Sequence, residues 1–142
     1  MIDMPFVVAA GGYLPTRGHD DDAGLDLYIS QRCVIEPGEF QDLPTAVSGA
    51  LPAGHWGLLT GRSSTLRNRG LLVHPGVIDV GYRGELFVGV MNLTSETVVV
   101  EPGVRVAQLI PVPMPEQLVQ ARAVEQLPDG SRGDNGFGST GN

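Results

Sequence analysis

The chain has one cysteine, Cys33, in 142 residues, so no internal disulfide can form. Nothing near Met1 has the charged, apolar and small-residue order of a signal peptide, and the expected compartment is a reducing cytoplasm. Long apolar runs are also missing: none approaches the roughly 18 residues of a membrane span. Basic side chains are scarce, nine against sixteen acids, for a formal net charge of -7. That balance argues against broad adhesion to nucleic acid or to an anionic membrane. An anionic ligand would have to be caught locally, by clustered arginines, backbone N–H groups or a metal. The length fits one domain, burying roughly 68% of the surface its unfolded chain exposes.

What is abundant is punctuation. Twenty glycines and eleven prolines in a chain that is 42% apolar point to short strands joined by tight turns, an all-β protein. Phe6 to Ala10 reads as a first strand. In AGLDLY, Leu25, Leu27 and Ile29 alternate with Asp26, Tyr28 and Ser30 at the two-residue period of a half-buried strand, which points Asp26 away from the leucines. The preceding run Asp20, Asp21, Asp22 reads as a solvated loop. VIEPGE at Val34 and VEPGV near Val100 repeat one device, a strand end followed by Pro and by Gly at the positive-φ position of a type II turn. After Gly61, Ser63 or Ser64 is placed to cap a short helix through Arg69, with Gly70 closing it in the left-handed conformation. The free N–H groups of that helix, two hydroxyls and Arg62 would make an anion site. VRVAQLIPVPM reads as a late strand, alternating or bulged, with Arg105 and Gln108 among Val104, Val106 and Leu109.

The segment richest in chemistry is Gly70 to Phe87, GLLVHPGVIDVGYRGELF, where an acid, a tyrosine and an arginine lie between apolar runs. Strands folding back around it would hold Asp79 and Tyr82 in fixed positions, one suited to hold a water, the other to present a flat ring. From Pro128 the composition changes to PDGSRGDNGFGSTGN, which cannot fold alone. The expected organisation is a body over 1–127 and a flexible arm over 128–142. Phe137 offers the arm a stacking face, and Arg132, Ser139, Thr140 and glycine N–H groups offer phosphate contacts.

In order, AGLDL, GRSS, GVIDVGYRGE, GVRVAQ and RGDNGFGSTG, spanning Ala23 to Gly141, resemble the five motifs of the homotrimeric dUTPases. The resemblance implies a distorted jelly-roll β-barrel whose three copies share active sites at their interfaces, hydrolysing dUTP to dUMP and pyrophosphate. It assigns Asp79 to the attacking water, Tyr82 to packing under the deoxyribose, and Arg62, Ser63 and Ser64 to the phosphate chain. It assigns Gln108 to the α-phosphate region and Asp26 to Mg²⁺, through water, as suits a hard ion that keeps its hydration. Arg132, Phe137, Gly138, Ser139 and Thr140 match the closing arm. Family members commonly read uracil with an asparagine before the hairpin turn. LLVHPG has none, which leaves backbone groups of Val73, Gly76, Val77 and Ile78, or His74, to meet the base.

Three other readings compete. The dCTP deaminases share the fold and an RSS element, but their chemistry needs a glutamate where this chain has Gly89. A regulatory trimer that only binds nucleotide, with a protein partner of unknown kind, would not need Asp79, Gln108 and the arm together. Single-stranded nucleic-acid binding through Arg62, Arg67 and Arg69 conflicts with the acidic balance.

Overall fold

A computed structural model describes residues 1–138 of the chain. Its eleven strands and one helix among these residues are all short. In chain order they are β1 (Phe6–Val8), β2 (Leu25–Tyr28), β3 (Cys33–Ile35), β4 (Phe40–Leu43), β5 (Val47–Gly49) and β6 (His55–Gly61). Then come α1 (Ser63–Arg69), β7 (Leu71–Val73), β8 (Gly76–Ile78), β9 (Val88–Asn92), β10 (Val98–Val100) and β11 (Arg105–Pro113).

The strands form one four-stranded sheet ordered β2-β11-β6-β8, one three-stranded sheet ordered β4-β9-β7, and the pairs β1-β5 and β10-β3. The result is a jelly-roll-like body in which, among the described residues, no continuous ring of hydrogen bonds closes a barrel. Its interior is aliphatic, with Leu27, Ile29, Leu43, Leu71, Val90 and Leu109 among the fully buried side chains. Each such side chain stabilises the fold by about 1.5–3 kcal/mol relative to exposure. Cys33 belongs to this core, and burial pushes its thiol pKa up.

Both Pro-Gly turns form as expected. Glu39 N–H donates to Glu36 O at 3.0 Å and Val104 N–H to Glu101 O at 3.2 Å, with Gly38 and Gly103 at φ of 73° and 82°. The helix also forms where expected and ends at Gly70, φ 66°, whose N–H reaches Leu66 O. Its start differs: Arg62 holds the cap position with extended backbone and no side-chain cap bond, so Ser63 is the first helical residue rather than the cap. The helix is held instead by Thr65, whose buried hydroxyl donates to Val106 O at 2.6 Å. That bond ties the first turn to the central strand.

The Gly70–Phe87 segment is not one hairpin. Its flanking strands β7 and β9 do pair, Val73 opposite Val90, but the chain between them crosses to the other sheet, where β8 pairs with β6. Asn92, fully buried at the end of β9, fastens the following turn. Its amide donates to Ile35 O and Glu96 O, and its oxygen accepts from the N–H and hydroxyl of Thr94. The last strand ends at Pro113, and residues 115–135 are exposed.

Candidate active site

The central strand β11 builds the site. Gln108 lies opposite Asp26 of β2 on one side and Thr60 of β6 on the other. A register shift between Arg105 and Ala107 interrupts the alternation of β11, and Val106 and Ala107 are both fully buried. The irregularity lets Arg105 and Gln108, three residues apart, line the same cleft. Gly61, at the end of β6, releases the chain into Arg62 and Ser63, which line it as well.

This cleft has a volume of about 460 Å³ and a mainly polar wall. Asp26 stands at its centre, bridged through its backbone to Thr16 and only 8% exposed. Its Oδ1 accepts from Arg62 Nε at 2.9 Å and its Oδ2 from Arg105 Nη1 at 3.1 Å. The strand pattern does turn Asp26 away from Leu27, but the two guanidinium groups bury it. Gln108 Nε2 donates to Gly61 O at 3.1 Å, and its side-chain oxygen packs over Gly24. Ser64, one residue into the helix, is half-buried.

The acidic loop before β2 is more than a solvated run. His19 and Asp22 line the cleft, the Asp22 carboxylate accepts the His19 N–H at 2.8 Å, and Arg17 donates to the Asp22 carbonyl. Arg105, His19 and Asp22 are the cleft residues the sequence reading leaves without a role. Only Arg105 had a visible signal, a cation placed between the half-buried Val104 and the buried Val106.

The second group of expected residues lies elsewhere on the chain. After β8 the backbone turns, Tyr82 N–H donating to Asp79 O at 3.0 Å. The Tyr82 hydroxyl folds back to donate to Glu85 O at 2.8 Å, passing over Gly84, where an added Cβ would lie 2.5 Å from that oxygen. Asp79 is exposed and Tyr82 is 42% exposed. Neither lines the Asp26 cleft. β8 is an edge strand, so one side of Gly76, Val77 and Ile78 has backbone groups free of a strand partner, while Val73 is buried. His74 turns away from β8, its ring meeting Phe40 edge-on at 6.5 Å between centroids. Arg132 and Phe137 are exposed and do not line the cleft. Gly138 has a φ of 88°, and the expected contacts of Ser139 and Thr140 lie outside the described residues.

Asp26 with both oxygens in ion pairs is a poor inner-sphere metal ligand, and no group of three or more His, Cys, Asp or Glu among the described residues could hold a metal ion. What fits is a hydrated ion carried by a ligand's own oxygens and reached from Asp26 through water. No helix among the described residues is long and apolar enough to cross a membrane.

A shallow β body with a polar, arginine-flanked cleft and a separate acid–tyrosine turn suits a nucleotide-handling protein, and comparison with known proteins agrees. The dUTPase family model matches residues 11–141. The deoxyuridine 5'-triphosphate nucleotidohydrolase of Mycolicibacterium gilvum is 44% identical over 135 residues, covering 90% of this chain and 87% of that one. Its counterpart from Leifsonia xyli is 39% identical over 143 residues, covering 99% and 91%. Among solved structures, the Staphylococcus bacteriophage 80alpha dUTPase with dUPNHPP superposes with a TM-score of 0.91 at 28% identity over 99% of each chain. A variant dUTPase from phage phi11 of S. aureus, described with a structural Mg(II) ion, gives a TM-score of 0.82 at 25% identity, over 90% of this chain and all of that one. The chain belongs to the dUTPase family.

Proposed function

We propose that the protein hydrolyses dUTP to dUMP and pyrophosphate, limiting uracil incorporation into DNA and supplying dUMP for thymidylate synthesis. The observation that carries this reading is the polar cleft of Asp26, Arg62, Ser63 and Gln108, which offers guanidinium, hydroxyl and amide donors to a triphosphate. Asp79 serves as the general base. Its carboxylate takes a proton from water, the water oxygen attacks the α-phosphorus, and the bond to the α,β-bridging oxygen breaks to release pyrophosphate. Gln108 orients the α-phosphate, and the free edge of β8 meets the uracil while Tyr82 packs under the sugar. Arg132, Phe137, Gly138, Ser139 and Thr140 close over the bound nucleotide as the lid.

The family resemblance implies a homotrimer in which neighbouring copies complete the site, and the separation of the Asp79 turn from the Asp26 cleft on one chain is consistent with such sharing. Mg²⁺ is the cofactor, which Asp26 would hold through water. When bound, it neutralises triphosphate charge. The single reduced thiol suits a cytoplasmic enzyme.

Deamination of dCTP is disfavoured by packing at Gly89. That chemistry needs a glutamate where this chain has glycine, and a Cβ there would lie 2.9 Å from the Phe40 ring and 3.2 Å from Asp42 Oδ1, so both side chains would have to shift to admit one. The reading is tested by pyrophosphate release from dUTP, dCTP, dTTP and UTP in Mg²⁺. Release from dUTP alone is expected, and binding of dUTP without release would contradict it.

A further inference from the structure

Four asparagines stand in the chain, and one of them, Asn135, is followed by glycine. The pair lies in the arm between Arg132 and Phe137, outside every strand and the helix. Asn135 is exposed and Gly136 half-buried. The Asn135 N–H donates to Arg132 O at 3.1 Å, and among the described residues no backbone hydrogen bond holds the Gly136 N–H.

The backbone does not demand glycine at 136. Gly133 and Gly138 on either side take a positive φ, but Gly136 does not, and a Cβ built on it would meet nothing within 4 Å. The absent side chain matters for chemistry instead, because it leaves the Gly136 nitrogen open to approach. Asn68 and Asn92 lack that opening. The first lies in α1 before Arg69, and the second is fully buried before Leu93 with its amide in two hydrogen bonds.

The chemistry such a pair permits is intramolecular. The Gly136 nitrogen attacks the side-chain carbonyl carbon of Asn135, the bond from that carbon to its amide nitrogen breaks, and ammonia leaves with the proton given up by Gly136. A five-membered succinimide ring remains. Water opens it at the side-chain carbonyl to give aspartate, or at the main-chain carbonyl to give isoaspartate, whose main chain runs through the side-chain carboxyl carbon. One water is consumed, one ammonia is released, and no oxidant or metal is needed. Either product adds a negative charge, and isoaspartate also lengthens the main chain between Arg132 and Phe137. Arg132 is the arm's one cation against Asp129 and Asp134, so a third acid beside it opposes a triphosphate of the same sign.

Resting on the dUTP reading above, we propose that Asn135–Gly136 is a self-modification site whose conversion to isoaspartate disables the arm as a lid. Turnover then decays with the age of the protein while the β body stays folded.

The test follows the full chain through incubation in mildly alkaline buffer, which speeds the step by drawing the proton from Gly136. Peptide mass mapping reads a gain of one mass unit, and pyrophosphate release from dUTP reads the arm. The gain is expected at Asn135 and not at Asn68 or Asn92, and residual turnover should track the unmodified fraction at unchanged melting temperature. Tryptic cleavage after Arg132 separates this pair from Asp129–Gly130, so isoaspartyl methyltransferase labelling of the C-terminal peptide reports the product at Asn135. Asn135→Gln, whose longer side chain closes a less favourable ring, and Gly136→Ala should each slow the mass gain and the activity loss by at least about tenfold, every variant compared with its own fresh sample. Asn135→Asp, which adds the charge without the longer main chain, should lower kcat/KM by about threefold.

No excess mass gain at Asn135 over Asn68 and Asn92 would overturn the site. Full mass gain with turnover unchanged would overturn its effect on the arm. Equal decay of turnover in wild type and Gly136→Ala would overturn the proposal by placing the damage elsewhere. Wild-type protein that gains the mass but, when fresh, cleaves no dUTP would defeat the catalytic reading and leave the modification site standing.

Discussion

A Cβ atom on Gly24 would lie 2.5 Å from Oε1 of Gln108 and 3.1 Å from its Cβ, so the amide of Gln108 keeps its place only because residue 24 has no side chain. Gly24→Ala therefore displaces the amide from the cleft while leaving the strands paired. Turnover of dUTP should fall by at least about tenfold, as for loss of one oriented donor. Steady-state kinetics with a melting curve alongside checks this; near-normal turnover would show that the amide has no part in the reaction.

Asp79 is exposed at the turn after β8 and contributes nothing to the core. Asp79→Asn should leave the fold and the affinity for dUpNHpp unchanged and lower kcat by about 10²–10⁴-fold, the range for removal of a general base. Single-turnover pyrophosphate release separates the two effects. Retained turnover would place the base elsewhere.

The last strand ends at Pro113, so the chain beyond it adds little to the core. Deleting residues 132–142 should leave melting temperature and oligomeric state close to those of the full chain, with turnover severely reduced. Scanning calorimetry, sedimentation and the pyrophosphate assay test the three parts. Unfolding of the shortened chain would make the arm structural.

Asn92 makes four hydrogen bonds from a fully buried position. Asn92→Ala strands the Ile35 carbonyl and the Thr94 N–H, and the expected cost is about 3 kcal/mol, read as a fall of roughly 10 °C in melting temperature. A change below a couple of degrees would mean that water or a shifted turn replaces the amide.

The parts legible in the sequence are those set by local rules. The two Pro-Gly turns, the helix closed by Gly70 and the alternation around Leu27 each depend on a few neighbouring residues, and each is present. The parts that escaped depend on long-range pairing. Nothing local shows that the chain between Val73 and Val88 leaves one sheet for the other, because β8 meets β6 from nearly twenty residues earlier. Period-two reading separates Arg105 from Gln108, and only the register shift opposite β2 puts them on one cleft wall. Asp22 looks like any acid in a charged run until the fold brings it to the cleft beside Asp26. The family motifs gave Arg62, Gln108 and Asp26 a common purpose, and the cleft holds all three, whereas Asp79 and Tyr82 lie apart from it on the single chain.

That separation gives the sharpest test. Asp79→Asn and Arg62→Gln proteins, each inactive alone, should regain activity when unfolded together, mixed in equal amounts and refolded. With one group from each of two chains at every site, random assembly restores about a quarter of the sites to the full set. Recovery near that fraction of wild-type pyrophosphate release is the predicted result. Two inactive parents that remain inactive after co-assembly, with mixed oligomers confirmed by mass, would contradict a site shared between chains.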